Sequence, residues 1–145
     1  LAEAYLAGVS WEPRDVFALV SNLENDPKWQ SAVIEVRRLT PGPIGEGSRF
    51  CHVLMLMGHK ATLDIEIVHH EPGQRYTLHC IYGPLTFSTE VRFERIAQGT
   101  RMVTLVEGQA KGLLKLATVA LAHHRQSEIE ADLRNLKQLM ESGAI

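Results

Sequence analysis

The stretch Leu113–Glu141, LLKLATVALAHHRQSEIEADLRNLKQLME, contains neither glycine nor proline. Uninterrupted, it predicts a helix of about 45 Å at 1.5 Å per residue. Its first half is apolar nearly all round, through Leu113, Leu114, Leu116, Ala117, Val119, Ala120 and Leu121. Its second half carries Ile129, Leu133, Leu136 and Met140 at i, i+4, i+7 and i+11, a single apolar stripe. Gly143 is placed to stop it. A helix like this needs a large apolar partner.

The residues before it change period from 3.6 to 2. Ala61–His70 alternates, with Leu63, Ile65 and Ile67 on one face and Thr62, Asp64 and Glu66 on the other. Pro72-Gly73 turns the chain, and Arg75–Tyr82 then puts Tyr76, Leu78, Cys80 and Tyr82 on one face. After Gly83-Pro84, Leu85–Arg95 faces Leu85, Phe87, Thr89, Val91 and Phe93 inward, with charges between them. Gln98-Gly99 closes the next hairpin, and Thr100–Ala110 is the last strand. Its face stays open, because Met102/Val106 and Val103/Leu105 are both apolar. Ser48–Met57 is a further strand, joined to Ala61–His70 through Gly58-His59.

Toward the start, Ala32–Leu39 reads as a strand ended by Pro41-Gly42-Pro43, and Ala2–Ser10 as a weakly alternating first strand. Between them, Pro13 opens a helix with Asp15 in its first turn and Val16, Phe17, Leu19, Val20 and Leu23 as its stripe. Asn25-Asp26-Pro27 starts a second short helix that carries Trp29. Strands segregated from helices mean an α+β fold with an antiparallel sheet of about seven strands. One polar face per strand means that only one side of that sheet is covered, and the long helix is the element left to cover it.

Composition narrows the function classes. The chain has 145 residues, 45% hydrophobic, enough for one domain (1–145) with a sizeable core. A net charge of −2 without a basic block argues against nucleic acid and against anionic lipid surfaces. The longest run lacking Asp, Glu, Lys and Arg, Tyr76–Thr89, is broken by Gly83-Pro84, so no integral membrane segment is expected. The domain is read as cytoplasmic, with the presence of a segment before Leu1 left open. Cys51 and Cys80 fall on strands separated by one other, roughly 10 Å apart, and are expected to be free thiols.

Six local strings resemble one superfamily in the same order. They are Pro13-Arg14-Asp15-Val16-Phe17, Asn25-Asp26-Pro27-Lys28-Trp29, Gly45-Glu46-Gly47-Ser48-Arg49-Phe50, Glu71-Pro72-Gly73-Gln74-Arg75-Tyr76, Gly99-Thr100-Arg101 and Leu133-Arg134-Asn135-Leu136-Lys137. Their placement is similar to that of the START-like (SRPBCC) superfamily, in its bacterial polyketide cyclase/dehydrase and lipid transport branch. The resemblance covers the whole chain and implies the helix-grip fold: an antiparallel sheet wrapped on a long C-terminal helix, with two short helices between strands 1 and 2. Glu12 stands where that family commonly has alanine, which touches the helix start.

The resemblance further implies a cavity between sheet and helix for a lipid-, isoprenoid- or polyketide-like molecule. The ligand-binding residues expected to line it are Trp29, Phe50, Leu63, Ile65, Tyr76, Leu78, Tyr82, Phe87, Leu114, Ala117 and Leu121. Periodicity does not distinguish a hollow core from a filled one. The alternatives are therefore a cyclase, aromatase or dehydrase using the same cavity, and an interaction protein in which it has collapsed. Tyr76 and Tyr82 are the main inward polar groups, and their phenols are equally suited to backbone partners. His52 or His79 would suit acid–base work if inward-facing. Adjacent His69 and His70 point to opposite strand faces, and His124 with Glu128 makes at most half a metal site, so neither metal nor cofactor is expected. Arg125, midway along the long helix, is placed either to meet a ligand head or to pair with Glu128 or Glu130; Arg49 is the other arginine weighed.

Overall fold

The computed structural model describes residues 2–9, 11–56, 58–83, 85–110 and 118–145. Seven antiparallel strands form one sheet in the order β1-β7-β6-β5-β4-β3-β2: β1 (Ala2–Val9), β2 (Val33–Arg38), β3 (Arg49–Leu56), β4 (His59–Glu71), β5 (Arg75–Tyr82), β6 (Leu85–Ile96) and β7 (Gly99–Ala110). Helices α1 (Pro13–Val20) and α2 (Asp26–Trp29) lie between β1 and β2, and α3 (Thr118–Glu141) follows β7. This is the helix-grip arrangement expected from the sequence.

Local chemistry accounts for the ends of the elements. Pro13 sits at the start of α1, where its missing N–H costs nothing, and Val16, Phe17 and Val20 are buried. Glu12, the departure from the family pattern, forms an ion pair with Arg95 at the end of β6. Asn22 accepts the Glu24 N–H at 3.2 Å and starts a 3-10 turn at Leu23–Asn25 that leads into α2. At the far end of α3, Gly143 has φ +75°. There Ala144 N–H reaches Leu139 O at 2.9 Å and Gly143 N–H reaches Met140 O at 3.2 Å, closing the helix as a Schellman motif.

The core lies against one face of the sheet. Ile129, Leu133, Leu136 and Met140 of α3 join Val16, Phe17 and Val20 of α1, Phe50, Leu63, Ile65 and Ile67 of β3–β4, and Tyr76, Val91, Phe93 and Met102. Phe17 meets the rings of His70, Phe93 and Tyr76 edge-on at 5.0, 5.4 and 5.8 Å. Cross-strand register settles the face of β7. Met102 opposes Phe93 and Val106 opposes Thr89, so Met102, Thr104 and Val106 face inward.

Tyr82 corrects the expected inner face. It is 71% exposed. Ile65 pairs with Cys80, but Asp64 pairs with Tyr82, which leaves Ile81 as an extra residue in β5. This bulge carries Tyr82 over to the outer face, where Asp64 also lies. A second bulge, at Val68 in β4, brings His70 to the inner face opposite Tyr76 and leaves His69 outside. Leu114 and Ala117, expected on the first half of the long helix, lie outside the described residues. Leu121 falls within α3, but its side chain and that of Arg125 lie outside the description.

Cys51 and Cys80 are both free and buried. Cys51 pairs across to Asp64 on the outer face, whereas Cys80 belongs to the core on the inner face. The sheet itself separates the two sulfurs.

Candidate functional site

The inner face is not covered uniformly. Phe50, Ile67, Tyr76, Phe93 and Met102 are fully packed under α1 and the second half of α3. Toward the opposite end, Leu54 of β3, Phe87 of β6 and Val106 of β7 face the same way but are only half-buried, as is Val36 of β2. These apolar side chains keep surface that neither the sheet nor the described part of α3 covers.

Close approach is built into this end. Gly108 stands directly opposite Phe87. A Cβ on Gly108 would lie 2.7 Å from Phe87 Cβ and 2.7 Å from Thr86 O, so only glycine lets β6 and β7 pair here.

Among the described residues the inner face carries a buried polar pair from separate elements. Asp26 opens α2, and His52 lies on β3 directly across from Val36. Asp26 Oδ2 and His52 Nε2 are 3.0 Å apart, and the residues are 3% and 4% exposed. Burial pushes the Asp26 carboxyl above the usual carboxylate range, while the His52 hydrogen bond pulls the other way. Among the described residues, Asp26 Oδ1, His52 Nδ1 and Trp29 Nε1 are buried without a hydrogen-bond partner, as are Arg38 Nε and Thr104 Oγ1. Each such atom costs about 1–3 kcal/mol unless something satisfies it.

Two contacts to α3 fix α2 in place. Asp132 accepts the Ser31 N–H and Oγ–H, both at 3.1 Å, and Asn135 Nδ2 donates to Trp29 O at 3.0 Å. Asp26 and Trp29, three residues apart, share one side of this short helix. Tyr76 is buried as well. Its hydroxyl donates to Val20 O at 3.4 Å, so the phenol finds a backbone partner. Burial, and secondarily the Asp26 charge, hold its pKa well above the ordinary phenol value, so it stays protonated.

The expected site residues thus divide. Trp29, Phe50, Leu63, Ile65, Tyr76 and Leu78 are brought together inside, but as tightly packed members of the core. Phe87 alone of the described set keeps inner surface. Val36, Leu54 and Asp26 were not expected there. Val36 and Leu54 carry the ordinary signal of core strands, and Asp26 next to Pro27 carries that of a helix start. His79 is exposed, Arg49 pairs with Glu66 on the surface at 3.1 Å, and His69 lies 3.9 Å from Glu46 on the exposed side. Among the described residues no group of three His, Cys, Asp or Glu is arranged to hold a metal, and no helix is long and apolar enough to cross a membrane.

Residues 8–141 match the family model described as "Polyketide cyclase / dehydrase and lipid transport". The chain belongs to this family. Similar solved structures span the whole domain. A Thermus thermophilus protein superposes with TM-score 0.81 at 19% identity, covering 99% of this chain and 97% of that one. A START superfamily protein from Mycobacterium smegmatis gives 0.79 at 12% identity, with 97% of each chain covered. The Zhui aromatase/cyclase from Streptomyces sp. R1128 gives 0.76 at 15% identity, covering 99% of this chain and 94% of that one. At these identities the likeness is one of fold. A comparison with curated proteins returns no match.

Proposed function

We propose that this family member binds a hydrophobic small molecule, lipid-, isoprenoid- or polyketide-like, between the inner face of its sheet and the long C-terminal helix. The observation that carries the reading is the half-buried apolar surface of Val36, Leu54, Phe87 and Val106 on a face that is elsewhere packed solid. A filled core has no reason to leave inward apolar side chains partly uncovered, since each Å² withheld from burial forgoes about 25 cal/mol. Binding sites of this kind are mostly apolar with a few placed polar groups. The family description, which joins lipid transport to cyclase and dehydrase activity, agrees with such a site.

A second reading, chemistry on a bound ketide, has one observation in its favour. The Asp26–His52 pair is a buried titratable couple of the sort acid–base catalysis uses. Among the described residues the rest of the inner face offers little to polarise a carbonyl, so binding is the reading supported better.

The test is to extract the protein purified under native conditions and identify what copurifies by mass spectrometry. Neutral apolar probes are titrated in parallel while Trp29 emission is followed in a Trp11→Phe background. Trp29 is 7% exposed and sits beside the buried pair on α2, so saturable binding should change its emission. If no apolar molecule copurifies and no probe binds saturably at micromolar concentration, the proposal fails.

A further inference from the structure

The Asp26–His52–Trp29 cluster has a use that deepens the binding reading and rests on it. His52 stands where the solid part of the inner face ends. Phe50, two residues before it on β3, is fully buried, whereas Leu54, two residues after it, and Val36, directly across on β2, are half-buried. The ring is held through Nε2 by Asp26, and Nδ1 on its other edge has no partner among the described residues.

We propose that His52, oriented by Asp26, is the polar anchor of the ligand chamber, and that its Nδ1 receives a neutral hydroxyl or keto oxygen at the head of an otherwise apolar molecule.

Proton bookkeeping specifies the head group. Burial favours the states of the pair without net charge. With the proton they share held between Oδ2 and Nε2, one of these is carboxylic acid with neutral imidazole and the other is carboxylate with imidazolium. In the first the proton between them sits on Asp26 Oδ2, in the second on His52 Nε2. Nδ1 carries a hydrogen in both and is therefore a donor that needs an acceptor. An amine or ammonium head would face it donor to donor. A carboxylate head would carry a net charge into buried surroundings that hold no net opposite charge, at a desolvation cost that a neutral oxygen avoids. An alcohol or ketone oxygen accepts without adding charge. On the α2 side, Asp26 Oδ1 and Trp29 Nε1 supply one further acceptor and one further donor.

The test compares three ligands of one chain length: 1-decanol, 1-chlorodecane and decanoate. Each displaces the neutral probe N-phenyl-1-naphthylamine from the full chain at about pH 8, where decanoate is ionised. The wild type should bind 1-decanol about tenfold or more tightly than either of the others. His52→Phe should lose that preference while keeping its affinity for 1-chlorodecane. A measurement on the wild type makes the outcome independent of how the variant folds. The ¹⁵N resonance of His52 Nδ1 should move on saturation with 1-decanol and stay in place with 1-chlorodecane. Equal affinity for 1-decanol and 1-chlorodecane, or an Nδ1 resonance that ignores 1-decanol, overturns the anchor and leaves the chamber standing. Failure of the fluorescent probe and of all three ligands to bind overturns the chamber, and the anchor with it.

Discussion

Truncating Leu136 and Leu54 to alanine removes the same branched end from two inward-facing leucines, and the two changes should cost very different amounts. Leu136 is completely buried on α3 among α1 and the β3–β4 core. Its loss forfeits the full transfer free energy and leaves a void in close-packed surroundings, together about 3–5 kcal/mol. Leu54 is half-buried on β3, at the end of the sheet shared with Phe87 and Val106. Burying a leucine fully is worth about 1.5–3 kcal/mol, so half of that, with no sealed void created, comes to about 1 kcal/mol. In a domain of this size each kcal/mol moves the thermal midpoint by about 2–4 °C. Leu136→Ala should therefore melt roughly 10 °C below the wild type and Leu54→Ala within about 4 °C of it. Urea unfolding at constant slope gives the same two quantities independently. Equal losses for the two variants would mean that Leu54 is packed as tightly as Leu136, and the argument for an uncovered inner surface would fail.

Other consequences follow from single sites. Gly108→Ala puts a Cβ 2.7 Å from Phe87 Cβ and Thr86 O and should cost about 1–3 kcal/mol, whereas Gly45→Ala, with nothing within 4 Å, should melt as the wild type does. Cys51 and Cys80 should resist alkylation in the native protein and both react once it is denatured without reductant; thiols that appear only after reduction would contradict the strand order. Burial raises the folded pKa of Asp26 above its unfolded value, so the folded state holds that proton longer and loses stability as pH rises through the interval between the two. Asp26→Asn should remove this loss, and its urea midpoint should gain on that of the wild type as pH rises above the ordinary carboxylate range; a constant offset would count against a raised Asp26.

What could be read from the sequence was what depends on neighbours in the chain. The alternation through Tyr76, Leu78 and Cys80 and the stripe Ile129, Leu133, Leu136 and Met140 are local patterns, and each lies on the face its period implies. Tyr82 continues the same alternation but lies outside, because the bulge at Ile81 belongs to the pairing of β5 with β4 and not to β5 alone. The face of β7 was undecidable until Met102 was set against Phe93. For the candidate site, apolar identity was legible and degree of burial was not. Leu54 and Leu63 look alike as letters, and only coverage by other elements separates them. The Asp26–His52 pair joins residues 26 apart on a short helix and a strand, and no spacing rule announces such a contact. Its only sequence trace is an aspartate beside Pro27, where a helix start explains it equally well.

The central claim is that an apolar molecule occupies the open end of the inner face. Photolabelling tests it most directly, using an alkyl probe that carries a diazirine, followed by peptide mapping of the intact chain. Saturable labelling should fall on Val36, Leu54, Phe87 and Val106 and be suppressed by excess unlabelled apolar competitor. Labelling confined to the exposed apolar residues Ile34, Met55, Ile81 and Tyr82, or labelling that no competitor reduces, would contradict it.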